Sequence, residues 1–377
     1  MESCSLLLAN NSAQYKVKSK NNSYFRKYEG LIDLKKFGNI LDYICSINKR
    51  HSLRLAPITI QLENVIIDDK LIYILLECLC YDLLINKDCN FTLLINCNLS
   101  IINEGLQYSC LDYSDPKRKD LFKKRFAQDI QLKHFRRIVY ADENFGENLS
   151  ALMDDIDMFL QHISLSKEAC SNICETVVEL VDNAYEHARS ACLIDIDVTK
   201  DYRKTDPNDK NLYFGVNIAI INFSDILFGE RLKEKVKKND EKLKGQKRFA
   251  DVLRARANHE KHFGEIYDED FFFMISSFQD QISSRDRETT GGKGLTGLIS
   301  EIQNYAETDK CFMVSGEKMI KLLKRFMVFN KDNWIGFNEQ NDYINSIPSE
   351  NCICKNGFNM RGTAFQLTFV IKKEDVL

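Results

Sequence analysis

Glycine and proline are the residues this chain uses least: 16 glycines and 4 prolines in 377 positions, against a usual ~7% and ~5%. Collagen-like, Pro/Gly-rich disordered and long-linker architectures need both residues and are excluded. An excess of one charge sign is missing as well. The 52 Lys+Arg stand against 55 Asp+Glu, a net charge of −3, which gives no global argument for nucleic acid or a membrane surface. Long apolar runs are absent: the longest, 71–76 and 217–223, are broken by Glu77, Asp82 and Ser224, where a membrane helix needs ~20 residues. The opening Met-Glu-Ser-Cys lacks a basic n-region and a small-residue cleavage site, so no signal peptide is expected. None of the 13 cysteines forms a Cys-x-x-Cys pair, and Cys78-x-Cys80 and Cys352-x-Cys354 have strand rather than zinc spacing. The expectation is reduced thiols acting as small hydrophobes in a cytoplasmic protein, with His259 and His262 on a solvated helical face. What is plentiful is apolar and aromatic residue, 44% and 11%, enough for the cores of roughly two domains.

Residues 57–66 alternate as a strand, 69–84 are helical in period and 91–97 read as the next strand, with a helical stretch over 31–47 before them. This order predicts a small α/β domain over 1–110. It loosely resembles the STAS-like domains that often serve as interaction modules, which implies a protein partner held through 1–110. From Asp115 to Arg137 the chain turns basic, with Lys117, Arg118, Lys119, Lys123, Lys124, Arg125, Lys133, Arg136 and Arg137. A basic helical connector over 111–144 is favoured over a nucleic-acid patch. Acidic and apolar residues are interleaved, and only one strand-flanking aromatic pattern, Phe122/Phe126, could stack on bases.

The most informative helix spans Cys170–Ala188. Ile173, Val177, Leu180, Val181, Ala184 and Ala188 form one stripe at i, i+3, i+4 spacing, and Ser166 is the expected N-cap. Beside the stripe, Glu179, Asn183 and His187 follow one another at i, i+4, i+8, with Glu175 and Glu186 flanking. A carboxamide can offer a neutral oxygen to Mg²⁺, which shares its hard ligands with substrate phosphates. A nearby carboxylate can orient or deprotonate water for attack on a phosphoryl group. A surface ridge of an ordinary amphipathic helix is the alternative.

The glycine shortage makes one cluster conspicuous: Gly291, Gly292, Gly294 and Gly297, four of the 16, within Thr289–Leu298. Glycines let backbone N–H groups approach an anion, and a loop feeding a helix N-terminus aims those donors and the dipole at it. Lys293 adds a charge. The spacing is neither a Walker A loop nor a Rossmann fingerprint.

Together these segments resemble the gyrase, chaperone, histidine-kinase and MutL (GHKL) ATPases, whose ATP-binding domain has a Bergerat fold. Glu179-Leu-Val-Asp-Asn183-Ala-Tyr-Glu-His187 is similar to that family's N box, E-L-x-x-N-A-x-x-H. Gly292-Lys-Gly294-Leu-Thr-Gly297 is similar to its second glycine box, and Arg361-Gly362-Thr363-Ala-Phe365 to its terminal G-T-x-F strand. The first glycine box, D-x-G-x-G, departs. Asn222 stands where the aspartate should be, both glycines are missing, and Asp225 follows as a substitute acid. The fold class implied is α+β: a Bergerat-type sandwich over 145–373, helices on one face of a mixed sheet with a lid at 229–290, preceded by the small α/β domain.

The resemblance implies ATP and Mg²⁺ as ligands. Glu179 would orient water, Asn183 hold Mg²⁺, Asn222 (or Asp225) and Thr363 line the base pocket, and Gly292, Lys293, Gly294, Leu295 and Thr296 cradle phosphates. Glu186, His187, Gly291 and Gly297 are further candidates. Within the lid, the charged stretch Glu230–Lys261 is expected to be a mobile solvated loop; the alternative is a flap whose cations reach ATP phosphates or an acidic partner once nucleotide orders it. His51-Ser-Leu-Arg54-Leu-Ala-Pro57 departs from the sensor-kinase phosphoacceptor box H-E-L-R-x-P, and 377 residues leave no room for the extra domains of a topoisomerase or mismatch-repair protein. What remains is a slow, Mg²⁺-dependent ATPase acting as a nucleotide-driven switch. A non-catalytic degenerate scaffold and an anti-sigma-type serine kinase are the alternatives. A homodimer follows only by family analogy.

Overall fold

The computed structural model describes residues 1–9, 23–50, 52–54, 56–67, 69–97, 107–204, 208–238, 246–282, 294–307 and 309–373, and the single positions 17 and 19. The first elements are β1 (Tyr24–Leu31), α1 (Leu34–Arg50), β2 (Ile58–Ile66), α2 (Lys70–Tyr81) and β3 (Phe91–Cys97). The three strands form a parallel sheet in the order β1-β2-β3. β2, α2 and β3 fall where the periodicity puts them. β1 is an unexpected strand, and α1 begins at Leu34 because the chain leaves β1 only at Leu31.

The segment 111–144, expected to be helical, is helical only in part. α3 (Lys119–Ala127) gives way to the hairpin β4 (Gln128–Gln131) and β5 (His134–Val139). After it come α4 (Phe145–His162), α5 (Lys167–Ala188), β6 (Cys192–Tyr202), β7 (Tyr213–Asn222), α6 (Glu230–Lys238), α7 (Lys247–Glu260) and α8 (Glu269–Ser276). The last elements are α9 (Gly294–Tyr305), β8 (Phe312–Lys321) and β9 (Ile353–Lys372). Six strands assemble in the order β4-β5-β6-β7-β9-β8. The α+β class holds, with two specifics that differ from expectation. The six-stranded sheet is antiparallel at every pair rather than mixed, and helices cover both of its faces.

Period-two alternation divides those faces. In β6, Ile194, Ile196 and Val198 join the core shared with α4, α5 and α9. Leu193, Asp195 and Asp197 turn to the opposite face, where α2 lies. α2 is buried along its entire length, as a helix apolar on nearly all sides must be. It packs against its own sheet's core on one side and against β7 and β9 on the other.

The stretch expected to be a mobile lid contains packed helices. Leu232 and Val236 of α6, Phe249, Val252 and Ala255 of α7, and Phe271–Ile275 of α8 all enter the main core, together with Trp334 and Tyr343. Apolar residues at helical spacing are interleaved with the charges and supply the buried side. His259, expected on a solvated face, is buried and meets the Tyr267 hydroxyl at 2.6 Å. The twelve cysteines whose side chains are described are all free. No helix among the described residues is long and apolar enough to cross a membrane.

Candidate functional site

α5 begins as its sequence dictates: Ser166 Oγ accepts the Ala169 N–H at 3.2 Å, one of the donors a helix start leaves open. Ile173, Val177, Leu180 and Val181 are buried in the same core as Leu298, Ile299 and Ile302 of α9, which packs along α5. Glu179, Asn183, Glu186 and His187 are all half-buried. The Asn183 carboxamide makes no hydrogen bond among the described residues. The helix stops at Arg189, which takes a left-handed backbone (φ 50°) and donates its N–H to the Tyr185 carbonyl at 2.9 Å. The Arg189 guanidinium lies 4.6 Å from the Tyr185 ring centre, and Phe145 of α4 stacks on that ring at 3.7 Å. The end of α5 is thereby pinned between a cation and a ring.

Beside this end, strand register builds a row. Cys192 of β6 pairs with Asn222 of β7, Asn222 with Thr363 of β9, and Thr363 with Ser315 of β8. Asn222, Thr363 and Ser315 are all buried. Asn222 Nδ2 donates to Ser190 Oγ at 3.1 Å. Ser315 Oγ donates to the Gly362 carbonyl at 2.6 Å and accepts the Phe228 N–H at 3.0 Å. Gly362 has φ +111°, and a Cβ there would collide with the Asn222 carbonyl and come within 2.8 Å of the Phe223 Cα. Only glycine permits this approach of β9 to the end of β7.

Gly291, Gly292 and Lys293 lie outside the described residues, as does His51. Gly294 is the first residue of α9, and Leu295, Thr296 and Gly297 form its first turn. Leu295 and Thr296 are half-buried and Gly297 is exposed. Where the first glycine box would lie, the chain carries Asn222-Phe223-Ser224-Asp225-Ile226; Ser224 is buried and its hydroxyl accepts the Ile226 N–H at 3.0 Å, and Phe228 follows two residues on. The Phe228 ring meets Phe278 at 5.3 Å and Phe365 at 6.1 Å. Asp225 stands apart from the row, with an exposed side chain that pairs with Arg361. Ser190 and Ser315 carry no motif. The only sequence signals for them are a serine just past the end of the N-box-like helix and one in the strand before the last.

The other face of the sheet holds a buried ionic network that composition could not reveal. Lys70 of α2 reaches Asp195 at 2.5 Å and also pairs with Asp197. Arg136 joins Asp195 and Glu77 at 2.5 Å each. His134 lies between Asp195 at 3.0 Å and Asp129 at 3.2 Å. Asn217 donates to Asp197 at 3.0 Å, and Gln366 accepts the Leu71 N–H at 2.8 Å. Burial alone would push the Asp195 carboxyl up, but Arg136, Lys70 and His134 together hold it well below the usual range. Burial would likewise lower the His134 pKa. Its two carboxylate neighbours outweigh that and raise it.

Four of the nine cations of the basic segment are engaged by carboxylates within the chain. Arg136 is buried, Arg137 pairs with Asp155, Lys119 with Asp88 at 2.7 Å and Arg118 with Asp115 at 2.6 Å. Phe122 and Phe126, considered for base stacking, are fully buried, and Phe126 stacks on Tyr81 of α2 at 4.4 Å.

Comparison of the chain with family models, with curated proteins and with solved structures returns no match.

Proposed function

We propose that this chain binds ATP with Mg²⁺ between the end of α5 and the row on β7 and β9, and turns it over slowly as a nucleotide-driven switch for a protein partner. The observation carrying the reading is the register pairing of Asn222 with Thr363, joined through Ser190 to the end of α5. Two motif residues, Asn222 and Thr363, thus lie side by side next to the end of the helix that carries a third motif. The chemistry of the donors fits Mg²⁺. Asn183 offers an oxygen with no protein partner among the described residues, and among those residues no group of three His, Cys, Asp or Glu side chains could hold a metal alone. A cation that takes its remaining ligands from phosphates and water suits such a site. When bound, Mg²⁺ supplies charge neutralisation for the phosphates. Glu179 orients the attacking water, and Asn222 and Thr363 position the base.

Binding of ATP to the purified full chain, titrated with and without Mg²⁺, tests this. Asn183→Ala is expected to abolish the Mg²⁺-dependent part, and Glu179→Ala to abolish turnover while leaving binding. Absence of any ATP binding, or unaltered binding by Asn183→Ala, overturns the reading. One observation favours the binding-only alternative: Ser224 stands at the first of the family's two glycine positions, buried, with its hydroxyl donating to the Ala188 carbonyl at 3.5 Å and accepting the Ile226 N–H at 3.0 Å, where a glycine would leave room. Nucleotide binding without turnover, unchanged by Glu179→Ala, is its signature.

A further inference from the structure

The nucleotide reading leaves one question open at Asn222. A carboxylate in that position can only accept hydrogen bonds, so it selects a base that brings an N–H. A carboxamide carries an acceptor at one end and a donor at the other. Turned by a half rotation, it serves a base that brings a carbonyl oxygen just as well. Selectivity then depends on what holds the amide in one orientation.

We infer that Ser190 is the positioning residue that sets base selectivity, by holding the Asn222 carboxamide with its nitrogen toward the end of α5 and its oxygen left over for a base amine. The inference rests on the nucleotide reading above. Asn222 Nδ2 donates to Ser190 Oγ at 3.1 Å, and Asn222 is 6% exposed, so water does little to reorient it. No other side-chain hydrogen bond engages Asn222 among the described residues; its Oδ1 is the acceptor that remains. A serine hydroxyl could in principle donate instead, but its location decides the matter. Ser190 is the second residue beyond the last of α5. There the final carbonyls of the helix lack intrahelical partners and carry the negative end of its dipole. That field draws the hydroxyl hydrogen toward the carbonyls and the amide N–H toward the helix. It disfavours the flipped amide, whose oxygen would face the same carbonyls. The arrangement selects a nucleoside triphosphate whose base presents an exocyclic amine, as adenine does, over one that presents a carbonyl there, as guanine does.

The experiment is competitive equilibrium binding of ATP and GTP, with Mg²⁺, to the full chain and to four variants: Ser190→Ala, Ser190→Thr, Asn222→Asp and the double variant Ser190→Ala/Asn222→Asp. The wild type is expected to prefer ATP about tenfold or more, the scale of one mismatched hydrogen bond. Ser190→Ala should cut the ATP:GTP ratio several-fold, and Ser190→Thr, which keeps the hydroxyl, should retain it. Asn222→Asp should prefer ATP whether or not Ser190 is present, because a carboxylate needs no orienting. An unchanged ratio in Ser190→Ala overturns the inference while leaving the nucleotide site standing. So does an equal fall from Ser190→Ala with and without Asn222→Asp, which marks a merely structural role. Binding of neither nucleotide by the wild type overturns the site reading itself, and the inference with it.

Discussion

On one face of the six-stranded sheet, α4, α5 and α9 cover Ile194, Ile196, Ile218, Ile220 and Leu367, an almost wholly apolar layer. On the other, α2 covers Asp195, Asp197, Arg136, His134 and Asn217, a layer in which charges meet charges. One buried carboxylate from each layer shows what the contrast means. Asp195, ringed by Lys70, Arg136 and His134, stays ionised far below its ordinary range. Glu301 of α9, facing α5, has Asn172 as a hydrogen-bond partner and the like charges of Glu175 and Glu168 nearby. Its Oε2 is buried without a partner among the described residues, and burial, with Glu175 adding to it, pushes the carboxyl up to about 7. Burial by itself does not decide whether a group keeps its charge; the neighbours brought by the opposing element do.

The largest effect should come from breaking the paired layer. Lys70→Met leaves Asp195 and Asp197 buried with too little compensation and should cost about 3–5 kcal/mol in denaturant unfolding. Adding Asp197→Asn removes the carboxylate that loses its ammonium partner, while Asp195 keeps Arg136 and His134, and should restore most of it; if the double variant is no better, unpaired charge is not the cause. Cutting into the apolar layer with Leu180→Ala should cost about 2–4 kcal/mol through lost burial and a cavity, with no dependence on salt or pH.

The next two predictions set a paired group against an unpaired one. His134 has its pKa raised by Asp195 and Asp129 above the ordinary 6.5. The stability it contributes is therefore fully present below pH 6.5 and is lost as pH rises through the folded value. His134→Asn should cost about 1–2 kcal/mol at pH 6 and less at pH 9; an equal loss at both would remove ionisation from the account. Glu301 is held up to about 7 from an ordinary 4.5, so between those values the folded chain keeps a proton that the unfolded chain releases. Its effect on stability thus declines as pH rises through that interval and levels off above it. Glu301→Gln should flatten this slope and be more stable than wild type by about 1 kcal/mol at pH 8. Equal stability of the two proteins at pH 8 would show that the carboxyl finds water or a partner.

Much of the α5 face was legible. Ser166 as a cap and the stripe from Ile173 to Val181 follow from periods that local residues fix by themselves, as do the strands β2 and β3 of the smaller sheet and the helix α2 between them. The ionic network on the α2 face was not. Arg136 and His134 sit in a run of cations that reads as solvated surface, and their partners Glu77 and Asp195 are joined to them only by tertiary packing. For the same reason the hairpin β4–β5 reads as helix: Gln128–Gln131 is short and polar, without apolar alternation. In α6 and α7 the density of lysine and arginine hid the apolar positions that bury those helices. At the candidate site, the motifs identified Asn222 and Thr363, but no local pattern announces Ser190 or Ser315, which matter only once register and helix end meet.

α2 has a consequence for how this chain could be taken apart. A helix serving as the common wall of two sheets leaves neither side complete without it. Residues 111–373 expressed alone would present Leu193, Ile221 and Phe312 to water alongside Asp195 and Asp197, a surface at once oily and charged. The first 110 residues would carry Lys70 and Glu77 stripped of their counter-ions. Grafting either half onto another protein, or swapping the first for a foreign module, discards the matching face. Motion between the halves is restricted in the same way: a shared wall transmits a shift of the sheet, but it cannot swing like a door.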